Sequence, residues 1–348
     1  MKMHTAKSLA CQIVFAPMIF QAVNAMLKTN FLKSIDEHSH TGGLDRVEIE
    51  NKLQLSSYAV SVLCEAAESI GLLYKEGGKF FCSKLAQVFL YDKMTQINLD
   101  FVQDVCYKGS FYLTESLINQ KPEGLKVFGK TKTIYEMLDK LDENVSKSWF
   151  AFDHFYSDNT FNQAAEIILK TSPKTIFDVG ANTGRFERVL FSKNFSGKVV
   201  LVDLPSQIKM AKQNLKNLEF SSRVEFYEMD VLDPCSKFLQ GADAIFMSQF
   251  LDCFSKEQIV FILAKAKEAM AKTSRLFILE PLIDGQRFEA AKLSLSIISL
   301  YFTAIANGKS KMYESADLIE CINLAGLKII AEHNELGVYD YTMFECGL

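Results

Sequence analysis

An α/β fold is what this sequence predicts: a Rossmann-like, doubly wound and mostly parallel seven-stranded sheet, preceded by a helical winged-helix domain. Three observations carry that reading. From residue 175 onward, short apolar runs alternate regularly with helical patterns. The first run, Thr175–Val179, leads through a glycine-bracketed turn into a helical pattern of Phe186, Val189 and Leu190. Residues 44–92 read instead as two helices and a small hairpin. A length of 348 residues suits about two domains.

Composition bounds the function. The chain is 49% hydrophobic and 23% charged, enough for an ordinary core. Its net charge of -4 gives no general attraction to nucleic acid or an anionic membrane, so neither is expected as a partner. The eight cysteines (11, 64, 82, 106, 235, 253, 321 and 346) are scattered, with no Cys-x-x-Cys pair. They read as reduced thiols of a cytoplasmic protein. The five histidines do not cluster with them, so no metal site is expected.

Taken in order, the chain opens with Lys2 and Lys7 before an apolar run, Leu9 to Leu27, that could pass for a signal peptide. Gln12, Pro17, Gln21 and Asn24 interrupt it, and Gln21, Asn24 and Lys28 share one helical face. This is an amphipathic helix whose wide apolar face must be covered, by its own domain or by a second subunit.

Val47, Ile49 and Leu53 then mark a short helix. Ser56 or Ser57 caps the next, which carries Val60, Leu63, Ala67 and Ile70 and ends at Gly71. Leu72–Tyr74 and Phe80–Cys82 form a hairpin around Glu76-Gly77-Gly78-Lys79. Helix, helix and hairpin make a winged helix, a shape some DNA readers use. From Asp45 to Asp92, however, five basic residues stand against seven acidic ones. That is a poor electrostatic footprint for DNA and favours a structural or dimerising role.

Residues 95–150 read as mainly helical, broken at Lys121-Pro122-Glu123-Gly124. Phe150–Asp158 is dense in aromatic residues (Phe152, Phe155, Tyr156) around His154, just before a long helix leading to the sheet. His154 is either a pocket donor or a satisfied interdomain residue. The strands are 175–179, 198–203, 223–227, 244–247 and 275–279, with the last pair at 327–331 and 341–344. An apolar helix, 287–302, interrupts the final strands.

The chemistry lies at the strand ends. Asp178-Val-Gly-Ala-Asn-Thr-Gly184 has the spacing Asp-x-Gly-x-x-x-Gly. It lacks the middle glycine of the dinucleotide fingerprint and has no Walker A lysine. A ligand without phosphates needs fewer bare glycines and more carboxylates. S-adenosylmethionine is such a ligand, with Gly180 allowing its close approach and the helix N-terminus favouring its carboxylate. Asp203 stands nineteen residues after Gly184, at the end of the second strand, where a carboxylate can accept both hydroxyls of a ribose. Asp230 follows the third strand, where it could accept the adenine amine while Val231 covers the ring.

These motifs resemble a family. Asp178–Gly184, Val202-Asp-Leu-Pro205, Met229-Asp-Val231, Asp243–Ser248 and Leu279-Glu-Pro281 are similar to class I S-adenosylmethionine-dependent O-methyltransferases of the caffeate/hydroxyindole type. The resemblance covers nearly all the chain. It implies a dimerisation domain at 1–105, a helical connector at 106–160 and a methyltransferase domain at 161–348. It also implies a homodimer joined through the N-terminal domain. As cofactor contacts it implies Asp178, Gly180, Gly184, Asp203, Leu204, Asp230, Val231, Ser248 and Tyr156, with Phe152 near cofactor and acceptor.

The departure lies after the fourth strand. The family typically reads Met-Lys-x-x-x-His-Asp-Trp, and this chain reads Met247-Ser-Gln-Phe-Leu-Asp-Cys-Phe254. Asp252 falls on the general-base histidine and Ser248 on a lysine, while Glu280 matches the acid that orients the base. Aspartate, with an ordinary pKa of about 3.9, is a weak base for a phenol. Burial beside Glu280 would raise it. Otherwise catalysis is mainly proximity, and Asp252 is no more than a helix N-terminal residue. The expectation is methyl transfer to a hydroxyl of a small aromatic or polyketide-like acceptor, yielding S-adenosylhomocysteine. C-methylation, another reaction of the same cofactor, and a small-molecule-sensing regulator are the alternatives.

Overall fold

The computed structural model describes all residues, Met1–Leu348, and packs them as two compact units, Met1–Leu99 and Asp100–Leu348.

The first unit opens with a helix, Met3–Lys28, of which only Val23, Asn24 and Met26 are buried within this chain. The sequence pattern places Asn24 on a polar stripe. Instead it is buried, its amide donating to the Phe20 carbonyl at 3.0 Å. Large apolar residues are exposed instead, among them Ile13, Val14, Phe15 and Met18. A helix Arg46–Leu53 begins with Asp45 and Glu48 in a reciprocal capping box. A second, Ser57–Ser69, is capped by Ser56. Strands β1 (Leu73–Glu76) and β2 (Lys79–Cys82) close the wing around Gly77-Gly78, with Glu76 and Lys79, read from the sequence as turn residues, paired at the turn end of each strand. Phe31, Leu32, Ile35, Ile49, Val60 and Phe80 form its core.

The second unit holds a seven-stranded sheet, with β3 (Thr175–Val179), β4 (Lys198–Asp203), β5 (Val224–Glu228), β6 (Ala242–Ser248), β7 (Met270–Glu280), β8 (Lys328–Leu336) and β9 (Tyr341–Gly347). Their spatial order is β5-β4-β3-β6-β7-β9-β8, with β9 alone running antiparallel to its neighbours. The near-continuous apolar strands follow from burial on both faces. Phe177, Val200, Val202, Ile245 and Met247 feed one layer. Ile176, Val199, Leu201, Ala244 and Phe246 feed the opposite one. Because side chains alternate along a strand, each strand serves both cores, and its last residue is left at one common edge.

Two expectations fail here. Phe150–Asp158 does not precede the long helix; it lies inside it, for that helix runs Glu143–Leu169 without a break. Residues 95–140 are less helical than the apolar pattern suggested. Short α-helices, Lys93–Phe101 and Leu113–Asn119, alternate with single tight or wide turns. The breaks fall at Gly109 and at Lys121-Pro122, where a continuous helix has no support.

Candidate active site

The carboxyl ends of β3, β4, β5 and β6 open onto a cavity of about 1060 Å³. Gly180 leaves β3 with φ +78, and a Cβ there would lie 2.3 Å from Cδ2 of Phe250, so glycine is required. Asn182 follows in the left-handed region, which asparagine tolerates. Its backbone N–H donates to Asp203 Oδ2 at 2.8 Å, and the Leu204 N–H donates to Asp203 Oδ1 at 2.7 Å. A carboxylate offers about four acceptor positions, so Asp203 holds the turn and keeps capacity for a ligand. Burial pushes its carboxyl up to about 6, against the two N–H bonds that pull it down.

Asp230 follows β5 with its Oδ1 accepting from the Leu232 N–H at 2.9 Å. Lys265 pins this loop through the carbonyls of Val231 (3.0 Å) and Asp233 (2.7 Å) and the Ser236 hydroxyl (2.9 Å). Gly180, Asp203, Leu204, Asp230 and Val231 all line the cavity.

Asp178 and Ser248 do not. They line a second, small chamber of about 60 Å³ beneath the turn, which shares Asp153, Gly180, Asn182 and Gln249 with the large one. Three buried oxygens here have no partner: Asn182 Oδ1, Ser248 Oγ and Gln249 Oε1. Buried acceptors without donors are costly, and an ammonium group or ordered water would satisfy them. Asp178 is buried against Glu187, and burial with that like charge holds its carboxyl well above the usual range. Glu187 is itself raised to about 7 by burial.

Two further expected cofactor residues reach neither chamber. Gly184 turns at φ +77 so that the following helix can pack, because a Cβ there would sit 2.7 Å from Leu215. Tyr156 belongs to an aromatic cluster, its ring 4.9 Å from Phe152 and 5.0 Å from Tyr339.

At the other end of the cavity stands Asp252, in a single turn Leu251–Cys253 after β6. Burial lifts its carboxyl to about 6, opposed by the Cys253 thiol, which donates to Oδ1 at 3.4 Å. Glu280 does not face the cavity. Its Oε1 accepts from the N–H groups of Phe250 (3.0 Å) and Leu251 (2.7 Å), so it fixes the backbone that carries Asp252. Burial, then the Asp252 charge, hold Glu280 well above the carboxylate range. His154 is turned into the small chamber, paired with the Thr183 hydroxyl at 3.0 Å. Burial lowers it to about 4, which leaves a neutral ring.

Between these ends the wall is aromatic. Phe101 stacks on Phe152 at 4.0 Å, and Trp149 Nε1 donates to Tyr301 Oη at 2.8 Å. Ile298 and Phe302, from the apolar segment read at 287–302, complete it.

A dinucleotide fold would crowd this turn with pyrophosphate, for which the chain supplies neither the middle glycine nor a Walker A lysine; carboxylates and bare acceptors stand there instead. The known proteins agree. The family model of the O-methyltransferase domain matches residues 111–326, and a dimerisation2-like domain matches residues 7–80. The chain belongs to the O-methyltransferase family.

Relatives of this methyltransferase include demethylsterigmatocystin 6-O-methyltransferase of Emericella nidulans, 31% identical over 160 residues, which are 45% of this chain and 71% of that one. Another is the 3-hydroxy-5-methyl-1-naphthoate 3-O-methyltransferase of Streptomyces sahachiroi, 23% identical over 287 residues, 80% of this chain and 79% of that one. An O-methyltransferase of neocarzinostatin biosynthesis, solved with S-adenosylmethionine and 2-hydroxy-5-methyl naphthoic acid, shares the fold. It has a TM-score of 0.68 at 18% identity and covers 94% of this chain and 96% of that one. The protein is thus an S-adenosylmethionine-dependent O-methyltransferase, and acceptors at its strand edge suit a cofactor whose ammonium, ribose hydroxyls and adenine amine are donors.

Sequence reasoning did not single out four residues in or around these chambers. Asp153 lines both chambers and accepts from Asn182 Nδ2 at 2.8 Å; burial, then the charges of Asp252 and Asp158, raise it to about 7. Its signal was present, an acid inside an aromatic stretch already singled out. Asn182 lay inside the glycine motif. Tyr135 and Lys265 gave no signal, because their place depends on packing between segments far apart in the chain.

Proposed function

We propose that this methyltransferase acts on a phenolic hydroxyl of a small aromatic or polyketide-like acceptor, with Asp252 as general base. The aromatic wall of Phe101, Trp149, Phe152 and Tyr301, ending at Asp252, carries the reading. A flat ring gains most from such a wall.

When bound, S-adenosylmethionine supplies an electrophilic methyl group for in-line displacement by the acceptor oxygen. Asp203 accepts the ribose hydroxyls, and Asp230 with Val231 holds the adenine side. Gly180 and Leu204 line its path, while Asp178, Ser248, Asn182 and Gln249 surround the amino-acid end. Gly184 and Tyr156 support that bed from behind. Asp252 takes the phenol proton while the oxygen attacks. A phenol near pKa 10 and a carboxyl near 6 differ by roughly four units, so full prior ionisation would cost about 5 kcal/mol. Concerted removal avoids that cost. Glu280 is a positioning residue, acting through the backbone before Asp252.

The relatives named for a naphthoate and for demethylsterigmatocystin support the acceptor class. The exposed apolar positions Ile13, Val14 and Met18 support a homodimer through the N-terminal unit. Sedimentation of Val14→Glu beside wild type tests it; a monomer in both would end that part. All eight cysteines are free thiols, which suits the cytoplasm. Methyl-labelled S-adenosylmethionine with a panel of hydroxylated aromatics tests the main reading. The expected product carries label on oxygen; label on carbon would refute it.

A further inference from the structure

One part of the cavity has no role in the account above. Lys121 and Lys309 line it, both exposed, and neither enters any ion pair of the chain. They come from segments far apart in sequence that the backbone forces together. Gly308 turns at φ +80, and a Cβ on it would lie 2.5 Å from the Lys121 carbonyl carbon. No other residue would let the two strands of chain approach so closely.

The same turn is tied to the catalytic end. Asn307 Nδ2 donates to the Cys253 carbonyl at 2.9 Å, and Asn307 Oδ1 accepts from the Lys309 and Ser310 N–H groups, each at 2.9 Å. Lys309 therefore stands on a short, braced turn one residue removed from the backbone of Asp252. Lys130 and Lys132 also line the cavity without an ion pair, whereas Lys126 and Glu123 are engaged. Lys126 lies over the Tyr112 ring at 3.8 Å, and Glu123 accepts from Asn119 at 2.9 Å.

The cavity thus carries both signs of charge. Asp153, Asp203 and Asp252 line it, and so do free ammonium groups, of which Lys121 and Lys309 are brought together by the Gly308 turn. A cluster of acids repels a negatively charged acceptor, and free ammonium groups attract it. Charge complementarity of this kind fixes orientation more than it adds affinity.

We infer that the acceptor carries an anionic group, held at the rim by Lys121 and Lys309, which turns its hydroxyl toward Asp252. Lysine meets a carboxylate or a phosphate equally well as a point charge. The inference rests on the aromatic-acceptor reading and deepens it.

The test compares three forms of one hydroxyaromatic acid: 3-hydroxy-2-naphthoate, its methyl ester and its coenzyme A thioester. Methyl transfer is followed with labelled S-adenosylmethionine, and S-adenosylhomocysteine binding is measured separately by calorimetry. The free acid is expected to exceed the ester at least tenfold in kcat/KM. A thioester that beats both would place a carrier phosphate at the rim instead, and still supports an anion subsite. Lys309→Gln and Lys121→Gln should each cut the preference for the charged form several-fold, and Lys309→Glu should reverse it. The drop should appear in KM rather than in kcat. Both positions are exposed, and an unchanged Tm verifies that the variants fold.

An ester that matches the charged forms, or variants that keep the preference, overturns the inference. So does turnover of none of the three while S-adenosylhomocysteine still binds. Failure of S-adenosylhomocysteine to bind would instead strike the cofactor reading beneath it.

Discussion

The two ends of the cavity are built from different kinds of backbone. The cofactor end rests on neighbouring parallel strands, whose carboxyl termini bring Gly180, Asp203 and Asp230 to one edge. Its ligand groups are fixed by short bonds to backbone N–H, as at Asp203. The acceptor end is assembled from the helix Glu143–Leu169, the irregular stretch around 121–138 and the turn after Ala306. There the groups depend on packing between distant segments, as where Gly308 meets Lys121. One end is rigid by topology and serves a constant ligand. The other can be rebuilt loop by loop, which is how a fold changes acceptor without changing cofactor.

That contrast can be broken experimentally, beginning with the cofactor end. Asp203→Ala removes the ribose acceptor and frees two N–H groups. Charge-assisted hydrogen bonds are worth roughly 1.5–3 kcal/mol each, so S-adenosylhomocysteine should bind about a thousandfold more weakly by calorimetry. An effect below tenfold would remove Asp203 from the site.

Asp252→Asn should act on the other end alone. It is expected to cut kcat about a hundredfold while S-adenosylhomocysteine affinity stays within about threefold. As the proposed general base, Asp252 would work in its ionised form, so kcat/KM should be full above pH 7 and fall as pH drops through about 6. A profile flat down to pH 5 would assign catalysis to proximity.

The buried pair beneath the turn offers a smaller effect, on stability. The folded carboxyl of Glu187 is raised from 4.5 to about 7. The stability it contributes is therefore complete below about pH 4.5 and is lost as pH rises through about 7. Glu187→Gln escapes that loss. It should raise Tm by several degrees at pH 8 and by much less at pH 5, read by scanning calorimetry. An equal shift at both pH values would mean the pair does not titrate.

The smallest effect is expected at Tyr156. Its ring packs against Phe152, Phe155 and Tyr339 and reaches neither chamber, so Tyr156→Phe should alter S-adenosylhomocysteine affinity less than about threefold. A tenfold loss would bring that side chain back to the ligand.

The same contrast explains what could be read from the sequence. The strands and the acids at their ends were legible because a two-sided apolar run ending in Asp or Gly is a local pattern. Asp203 and Asp230 announced themselves within a few residues of their strands. For Gly184 and Tyr156 the motif records spacing, while their place depends on what packs behind them, here Leu215 and Tyr339. Tyr135, Asp153, Lys121 and Lys309 were not assigned to the site, since their meeting is a property of packing. The Met3–Lys28 helix misled: its polar stripe was taken as the outward face, yet Asn24 satisfies its amide on Phe20 and turns inward.

The most direct measurement is the electron density of S-adenosylhomocysteine in crystals of this protein. The account requires the ribose on Asp203, the adenine beside Asp230 and Val231, the amino-acid end over Gly180 and the sulfur facing the side of Asp252. A nucleoside seated elsewhere, or a sulfur turned away from Asp252, would contradict it.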